Sequence, residues 1–561
     1  MRTYFRQALA FVQSRTYLQV LLVFSVFFTI FMLTYFFLPT LSSGDDHFFH
    51  FRFAESLREN GFFDSFHDFK SIYLSKMAQG GDYFVYYNFL FYLVLIPLTF
   101  ITPLFIGIKL YAVIIAAASF TILYWCCHRL DIKYSLAWVG VIFALTNHGG
   151  IWRLFLSRPY ALAPASLLLL LVFLNRKNYR GVFAVNFLYL FWHSATFFFP
   201  LGISLVYFIS QKFYRQSPDR KSLLVTIGGF SSALIIMTLV SPGFLDYMRE
   251  IIFGVFRETI ISKKVALSEG MELYPQDFFD FLRDNSLIIA SLLLAGGAEF
   301  YQYFSARFRN HESAEYFSGS AVGRPLQLAL FFLTIGTWLG TTAVSGRFGD
   351  FFMFFVALYL IVALESLRRF ITISDRFVKR GIIIGLTVMI IYLFASNLLF
   401  LQQVFARGAS VNEFSGVGEW LKVNTKPGDV VFNTNWSWFP QLYYHSPKNY
   451  YLAGLEPRFF YLYSSDLYWK WWHLGTHGYV CNLEECKNST DEQRLDWRRD
   501  DTRKKWIEQE STTAAKVIKG DLKTDYVVTS KSYHFFNVLL ENKDYFKRVY
   551  NDEVYAIYQP L

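Results

Sequence analysis

From its start to about residue 403 the chain is a succession of apolar runs separated by short polar loops. The runs fall at roughly 17–39, 84–106, 107–126, 134–148, 158–174, 181–210, 222–241, 286–305, 325–344, 350–371 and 381–403. About 20 consecutive apolar residues make a helix long enough to cross bilayer hydrocarbon, so most of these runs predict one span each. The 181–210 run has basic loops on both sides and is long enough for two passes. It predicts two short helices turning near His193-Ser194-Ala195, with Pro200 early in the second.

Lys and Arg gather in alternate loops: Arg129/Lys133, Arg176/Lys177/Arg180, Lys212/Arg215/Arg220/Lys221, Arg307/Arg309, and Arg368/Arg369 with Arg376/Lys379/Arg380. Basic loops mark the cytoplasmic side. The N-terminus is then inside, and everything after about residue 404 is outside. The 84–106 run upsets the count, because a single crossing there would put the Arg129/Lys133 loop outside. With Pro97 and Pro103 in it, this run predicts a double short pass or a re-entrant element, and a total of about 11 to 13 spans. The first run follows Arg2, Arg6 and Arg15 but is too long for a signal peptide and lacks a small-residue cleavage site, so it predicts an uncleaved helix.

Composition places the chain in the same class. Of 561 residues, 54% are hydrophobic and only 17% charged, against about 25% charged in ordinary soluble domains. The net charge of +10 resides in the short basic loops and does not point to nucleic acid. The expected fold is a polytopic α-helical membrane domain, 1–403, with external loops 42–83 and 242–285. The tail, 404–561, reads as a small extracytoplasmic α/β domain, at about 150 residues large enough for its own core. Within it, Gly416 to Asn424 predicts a helix, Val430-Val431-Phe432 and Tyr526-Val527-Val528 buried strands, and Tyr545 to Tyr558 a hairpin around Asn551-Asp552. Cys126 and Cys127 lie in a span as packing residues. Cys481 and Cys486 lie in the external tail, where a local disulfide is favoured over a metal pair because no companion His spacing accompanies them.

The chemistry-bearing segment is Gly44-Asp45-Asp46-His47-Phe48-Phe49-His50-Phe51-Arg52, directly after the first span. Membrane insertion has no use for two carboxylates, two imidazoles and a guanidinium at that depth. Asp45 to Asn60 predicts a helix; Asp46 and His50 share a face, as do Asp45 and Arg52. One aspartate suits a helix cap; the pair, with an imidazole one turn on and an Arg nearby, suits a base that takes a proton from a hydroxyl. His47 and His50 are spaced as metal ligands can be, though interfacial histidines are the commoner case.

Three other external segments carry candidates. Asn147 to Arg153, then Ser157-Arg158-Pro159, brings His148, Arg153 and Arg158 to the start of a span. External guanidinium groups want an anionic partner, either a phosphate or carboxylate in a site or the lipid headgroups. The loop from Ser241 to Asn285 holds Glu269 and Glu272 in Ser268 to Pro275, as a lid or as a solvated connector. Arg347, in Ser345-Gly346-Arg347-Phe348-Gly349-Asp350, is either a headgroup anchor or, with Arg158, the cationic floor of a phosphate site.

Taken together, the acidic pair opening the first external loop, the many spans, the outward Arg residues and the external tail resemble the GT-C superfamily of membrane glycosyltransferases. The segments Trp436-Ser437-Trp438-Phe439-Pro440-Gln441-Leu442 and Tyr450 to Pro457 are similar to those of uncharacterised bacterial members. The resemblance implies inverting transfer from a polyprenyl-phosphate sugar to a glycan, lipid or protein acceptor of the cell envelope, outside the plasma (inner) membrane. It implies Asp46 or Asp45 as the base, with His50, Arg52, His148, Arg158, Glu269, Glu272 and Arg347 around the substrate and its phosphate. Some members use a divalent cation, Mg or Mn, for which Asp45, Asp46, Glu269 and Glu272 are the candidate ligands. The oligosaccharyltransferase signature Trp-Trp-Asp is absent, since Trp471-Trp472 precedes His473. A transporter or flippase of lipid-linked saccharides, or a non-catalytic scaffold displaying the aromatic tail, are the rival expectations. A transporter would want polar groups near the bilayer midplane and internal repeats, whereas the charges here lie at the boundaries.

Overall fold

A computed structural model describes residues 15–41, 46–61, 65, 68–79, 88–146, 148–214, 217–240, 243–245, 248–249, 274–308, 323–368, 376–455, 457–484, 486 and 500–561. Among the described residues, seven helices are long and apolar enough to cross a membrane, at 16–36, 104–129, 194–213, 220–240, 324–343, 348–366 and 380–406, and four shorter apolar helices accompany them. The chain is a membrane protein.

The first helix, α1 (Thr16–Phe31), runs on as a π-turn to Phe36. Helix α2 (Asp46–Asn60) follows. Among its described residues, the 84–106 run is broken and not one continuous helix. Helix α3 (Phe89–Leu95) tightens into a 3₁₀ turn at Ile96–Phe100, and a fresh helix, α4 (Leu104–Arg129), makes the actual span. The physical reasons are local. Asn88 takes the left-handed conformation at φ +56°, Pro97 sits in the 3₁₀ turn and Pro103 caps α4. Gly107 lets the arm lie on α4, since a Cβ there would come 2.5 Å from the Leu98 carbonyl oxygen. The Arg129/Lys133 loop lies beside the Arg176 loop, whose guanidinium reaches the Arg129 carbonyl. Arg176 there pairs with Asp131.

Helices α5 (Ser135–Leu145), α6 (Ala163–Asn175), α7 (Tyr179–Trp192), α8 (Phe199–Phe213) and α9 (Arg220–Val240) continue the bundle. The 181–210 run is the expected pair, α7 and α8, joined by a 3₁₀ turn at Ser194–Thr196 with Pro200 in the first turn of α8. Helices α10 (Ser286–Phe308), α11 (Arg324–Ala343), α12 (Phe348–Arg368) and α13 (Arg376–Ala406) complete it. The centre is α4 and α12, whose apolar windows are each 72% buried, while the window of α13 is 6% buried at the periphery. Lys109, inside the apolar run of α4, is buried and donates its ammonium to the carbonyls of Phe36 and Leu38. It thereby satisfies carbonyls that the end of the first helix leaves without partners.

After α13 the chain forms α14 (Ser415–Asn424) and a five-stranded sheet of order β2-β1-β3-β5-β4. Strand β1 (Val430–Asn433) lies parallel to β2 (Tyr450–Tyr451) and to β3 (Tyr526–Ser530). The hairpin β4 (Phe546–Asn551) and β5 (Tyr555–Pro560) pairs antiparallel on β3. Each of the predicted tail elements is present. This tail also joins the first external loop. Ser71 bridges Tyr451 at the sheet edge, and Thr40 bridges Ser410. Helix α2 has eight buried residues, and its phenylalanines share one apolar cluster with Leu442, Tyr443, Val431 and Ile557. Burial of that Phe-rich face pins α2 between bundle and sheet, at roughly 1.5–3 kcal/mol per buried large side chain.

Candidate functional site

Asp46 opens α2, where the helix dipole and the orphan N–H groups favour a carboxylate. Its side chain does not serve that end alone. Oδ2 accepts from Nη2 of Arg158 at 2.8 Å, with the Arg158 side chain 15% exposed and that of Asp46 34%. Arg158 is delivered by the extended residue that precedes a short 3₁₀ turn, Pro159–Ala161, ahead of α6. Tyr160 lies between two guanidinium groups, its ring centroid 5.8 Å from that of Arg158 and 5.2 Å from that of Arg153. Arg153 in turn grips Asp350 in a two-pronged pair, Nη2 to Oδ2 at 2.9 Å and Nε to Oδ1 at 2.5 Å. That geometry is the strong, oriented form of an Arg–carboxylate contact.

The turn between α7 and α8 closes the site from another side. Trp192 donates its indole N–H to the Pro159 carbonyl at 2.7 Å, next to Arg158. His193 follows. Burial, and then the Arg347 guanidinium, hold its imidazole well below the ordinary histidine value. Arg347 lies in the turn between α11 and α12, and Asp350 in the first turn of α12. Contacts therefore run from Asp46 to Arg158, Tyr160, Arg153 and Asp350, while Trp192 ties the α7–α8 turn to Pro159 beside Arg158.

Two histidines at the start of α2 lie within reach of the Arg158 charge. His47 is 1% exposed, and its Nε2 has no hydrogen-bond partner among the described residues. His50 shares a hydrogen bond with the Tyr92 hydroxyl at 2.9 Å through Nδ1. Both are pushed down to about 3, first by burial and then by the Arg158 charge. They are neutral groups and not ion-pair partners of Asp46.

The predicted site residues thus divide. Asp46 and Arg158 meet in an ion pair and the Arg158 charge reaches His50, while the Arg347 charge reaches His193 in the turn between α7 and α8. Arg52 turns away: its Nε donates to the Tyr444 carbonyl at 2.9 Å, and Nη1 binds Glu55. It is a strut between α2 and the soluble tail. Asp45, Glu269 and Glu272 lie outside the described residues, as does the side chain of His148, although that residue begins a short helix ending at Arg153. A divalent cation does not fit at Asp46 among the described residues. The guanidinium of Arg158 already gives the carboxylate its positive partner, and no two further His, Cys, Asp or Glu donors gather there.

Sequence reasoning missed Asp350, Tyr160, Trp192 and His193 as members. Asp350 and His193 were in view as turn residues, but their partners lie far off in sequence. In the tail, Cys481 and Cys486 are disulfide-bonded as expected. A companion histidine does exist in space: His473 places a ring nitrogen within 4.8 Å of both sulfurs. Its Nε2 sits on the Leu483 carbonyl at 2.8 Å.

A short helical arm, a helix packed between bundle and sheet, an apolar helix bundle and a five-stranded sheet together make a fold already seen in a solved structure. In particular, the structure resembles the crystal structure of ArnT from Cupriavidus metallidurans bound to undecaprenyl phosphate. The TM-score is 0.51 at 11% identity, over 97% of this chain and 98% of that one. The apo state of the same protein aligns at a TM-score of 0.49 and 12% identity, over 96% and 97% of the two chains. No family model and no curated protein sequence matches the chain. At that identity the likeness establishes the fold.

Proposed function

We propose that the chain is a glycosyltransferase that moves a sugar from a polyprenyl-phosphate donor to a hydroxyl of a cell-envelope acceptor. It works on the extracytoplasmic side of the plasma membrane, with the N-terminus in the cytoplasm and the sheet domain outside. The observation that carries this reading is the 2.8 Å Asp46–Arg158 pair at the outer end of an apolar bundle whose fold neighbour holds undecaprenyl phosphate.

In the resting site Arg158 neutralises Asp46. A donor phosphate entering from the lipid competes for that guanidinium with Arg347 as a second positive group, and the carboxylate is released to act as base. The acceptor oxygen attacks the anomeric carbon from the face opposite the phosphate. The carbon–oxygen bond to phosphate breaks, and the electron pair leaves with polyprenyl phosphate. The hydroxyl proton passes to Asp46, and the anomeric configuration inverts. Charge building on the leaving phosphate meets Arg158 and Arg347 in a recess with little water, where such stabilisation is strongest. Concentration of these charges at one end of the bundle favours interfacial transfer over a transport path through the bilayer centre.

The test is mass analysis of envelope glycans and lipid-linked sugars from cells carrying the wild-type chain or Asp46→Asn. The expected result is a lost glycan modification and an accumulated lipid-linked sugar, with the variant present in membranes at normal level. Unchanged glycans in the Asp46→Asn cells would sink the proposal.

A further inference from the structure

A second chemical cluster lies in the tail, where the helix Ser465–His477 meets the loop that follows it. It shares no residue with the Asp46–Arg158 pair. Cys481, Cys486 and His473 place two sulfurs and a ring nitrogen within 4.8 Å of one another. A tetrahedral zinc ion, with sulfur at about 2.3 Å and nitrogen at about 2.0 Å, sets its ligand atoms roughly 3.5–3.8 Å apart. The three donors thus stand within a small side-chain adjustment of a chelate.

Each donor is also held by bonds other than the one between the sulfurs. His473 is fully buried, and its Nε2 lies 2.8 Å from the Leu483 carbonyl. A carbonyl only accepts, so Nε2 carries the ring proton and Nδ1 the lone pair. Metal-bound histidines are fixed in this manner, one nitrogen donating to a carbonyl while the other serves the ion. The backbone N–H of Leu483 donates to Sγ of Cys481 at 3.4 Å. Such a bond favours a thiolate over a thiol. The Tyr479 hydroxyl donates to the Cys486 carbonyl at 2.5 Å and so fixes the other cysteine. Both cysteines are partly exposed, which gives a reductant and an ion access to them.

We infer that this loop, once its disulfide is reduced, is a site for a thiophilic divalent cation of the zinc type, held by the Cys481 and Cys486 thiolates and by His473. The reductant is a dithiol. Its two thiols give two electrons and two protons to the Cys481–Cys486 bond, which breaks, and the dithiol becomes a disulfide. The cation then displaces both thiol protons as it binds, and water fills the fourth tetrahedral position. Disulfide and chelate are alternative fasteners of one loop, the first in oxidising surroundings and the second in reducing ones. This inference goes beyond the glycosyl-transfer reading and does not depend on it.

The experiment uses the full chain in nanodiscs, without a histidine tag, reduced on an immobilised dithiol that is removed before metal is added. Zn²⁺ binding is measured directly, and Co²⁺ reports thiolate ligation by its sulfur-to-metal charge-transfer absorption. Reduced wild type should bind a single Zn²⁺ and the oxidised chain none. Zn²⁺ should raise the unfolding temperature of the reduced chain alone. The double variant Cys481→Ser/Cys486→Ser should lose the Co²⁺ absorption although Cys126 and Cys127 remain. His473→Gln should weaken Zn²⁺ binding by more than about 100-fold, beyond what loss of an outer-shell partner costs. Binding that ignores the oxidation state overturns the proposal, as does the same Co²⁺ absorption in the double variant or unchanged affinity in His473→Gln. X-ray absorption at the zinc edge of reduced wild type gives a check that needs no variant. It should show sulfur at about 2.3 Å and imidazole nitrogen at about 2.0–2.1 Å. A shell lacking either one overturns the proposal.

Discussion

The two ends of the helix bundle both carry Arg–Asp pairs, and they are built differently. At the basic end Arg176 and Asp131 meet at 2.5 Å with side chains 46% and 65% exposed. At the other end Arg153 and Asp350 are 19% and 10% exposed, and Arg158 and Asp46 are 15% and 34% exposed. An exposed pair gains little over water, about 0–1 kcal/mol. A half-buried pair has lost its water and depends on its partner. Charge at one end is therefore solvated, while charge at the other end is held in partly buried, oriented pairs. The charge counts of the loops do not show this difference; the burial of the pairs does.

Several substitutions sharpen the contrast. Asp46→Asn should lower sugar transfer by about 10²–10⁴-fold with folding retained, the usual weight of a positioned base. Asp131→Asn should leave transfer unchanged, and both are read by transfer from lipid-linked sugar in membranes. Asp350→Ala strands a half-buried guanidinium and should cost about 3 kcal/mol of stability, read by thermal unfolding in detergent. Arg176→Ala should shift the same measurement by less than about 1 kcal/mol. Equal effects at the two ends would abolish the distinction.

The neutral histidines give a pH signature to the recess end. His47 and His50 are held at about 3 in the folded chain, against about 6.5 when unfolded. The unfolded chain therefore binds more protons below about pH 6.5, and folding stability falls as pH drops from there toward 3. Each histidine contributes a slope of up to about 1.4 kcal/mol per pH unit, with no dependence from these groups above about pH 7. Thermal unfolding between pH 7.5 and pH 4.5 should show the slope, and His47→Gln should reduce it. A smaller effect lies in the tail, where the Cys481–Cys486 bond closes a loop with a sequence separation of 5. Its removal in Cys481→Ser should cost about 2 kcal/mol by loop entropy, read as a lower unfolding temperature.

Much of the frame was legible because its causes are local. Apolar runs gave the helices of the bundle, and the β-rich triplets at Val430 and Tyr526 gave strands that the structure contains. Pro97 and Pro103 mark the 84–106 run as broken, and the structure breaks it there, with the arm packed closely on α4 at Gly107. The site was legible only in part. An acid after the first span stood out because the bilayer edge gives it no other use. Arg52, from the same nine residues, looked equivalent and is a strut on Tyr444. Lys109 was hidden in an apolar run, since nothing local indicates that Phe36 and Leu38 carbonyls await it.

What the sequence determined by itself was the class of protein, the order of its elements and the acidic segment at Asp46. Hydrophobic periodicity, loop charge and helix-end chemistry act over a few residues, so they can be read from a string. Tertiary structure alone decided the partners: Asp46 with Arg158, and Asp350 with Arg153 across 197 residues. It also decided that His47 and His50 are buried beside the Arg158 charge and held neutral. Pairing energies fall off within a few ångströms and burial is set by the packing of distant helices, so neither leaves a mark in the linear order of residues.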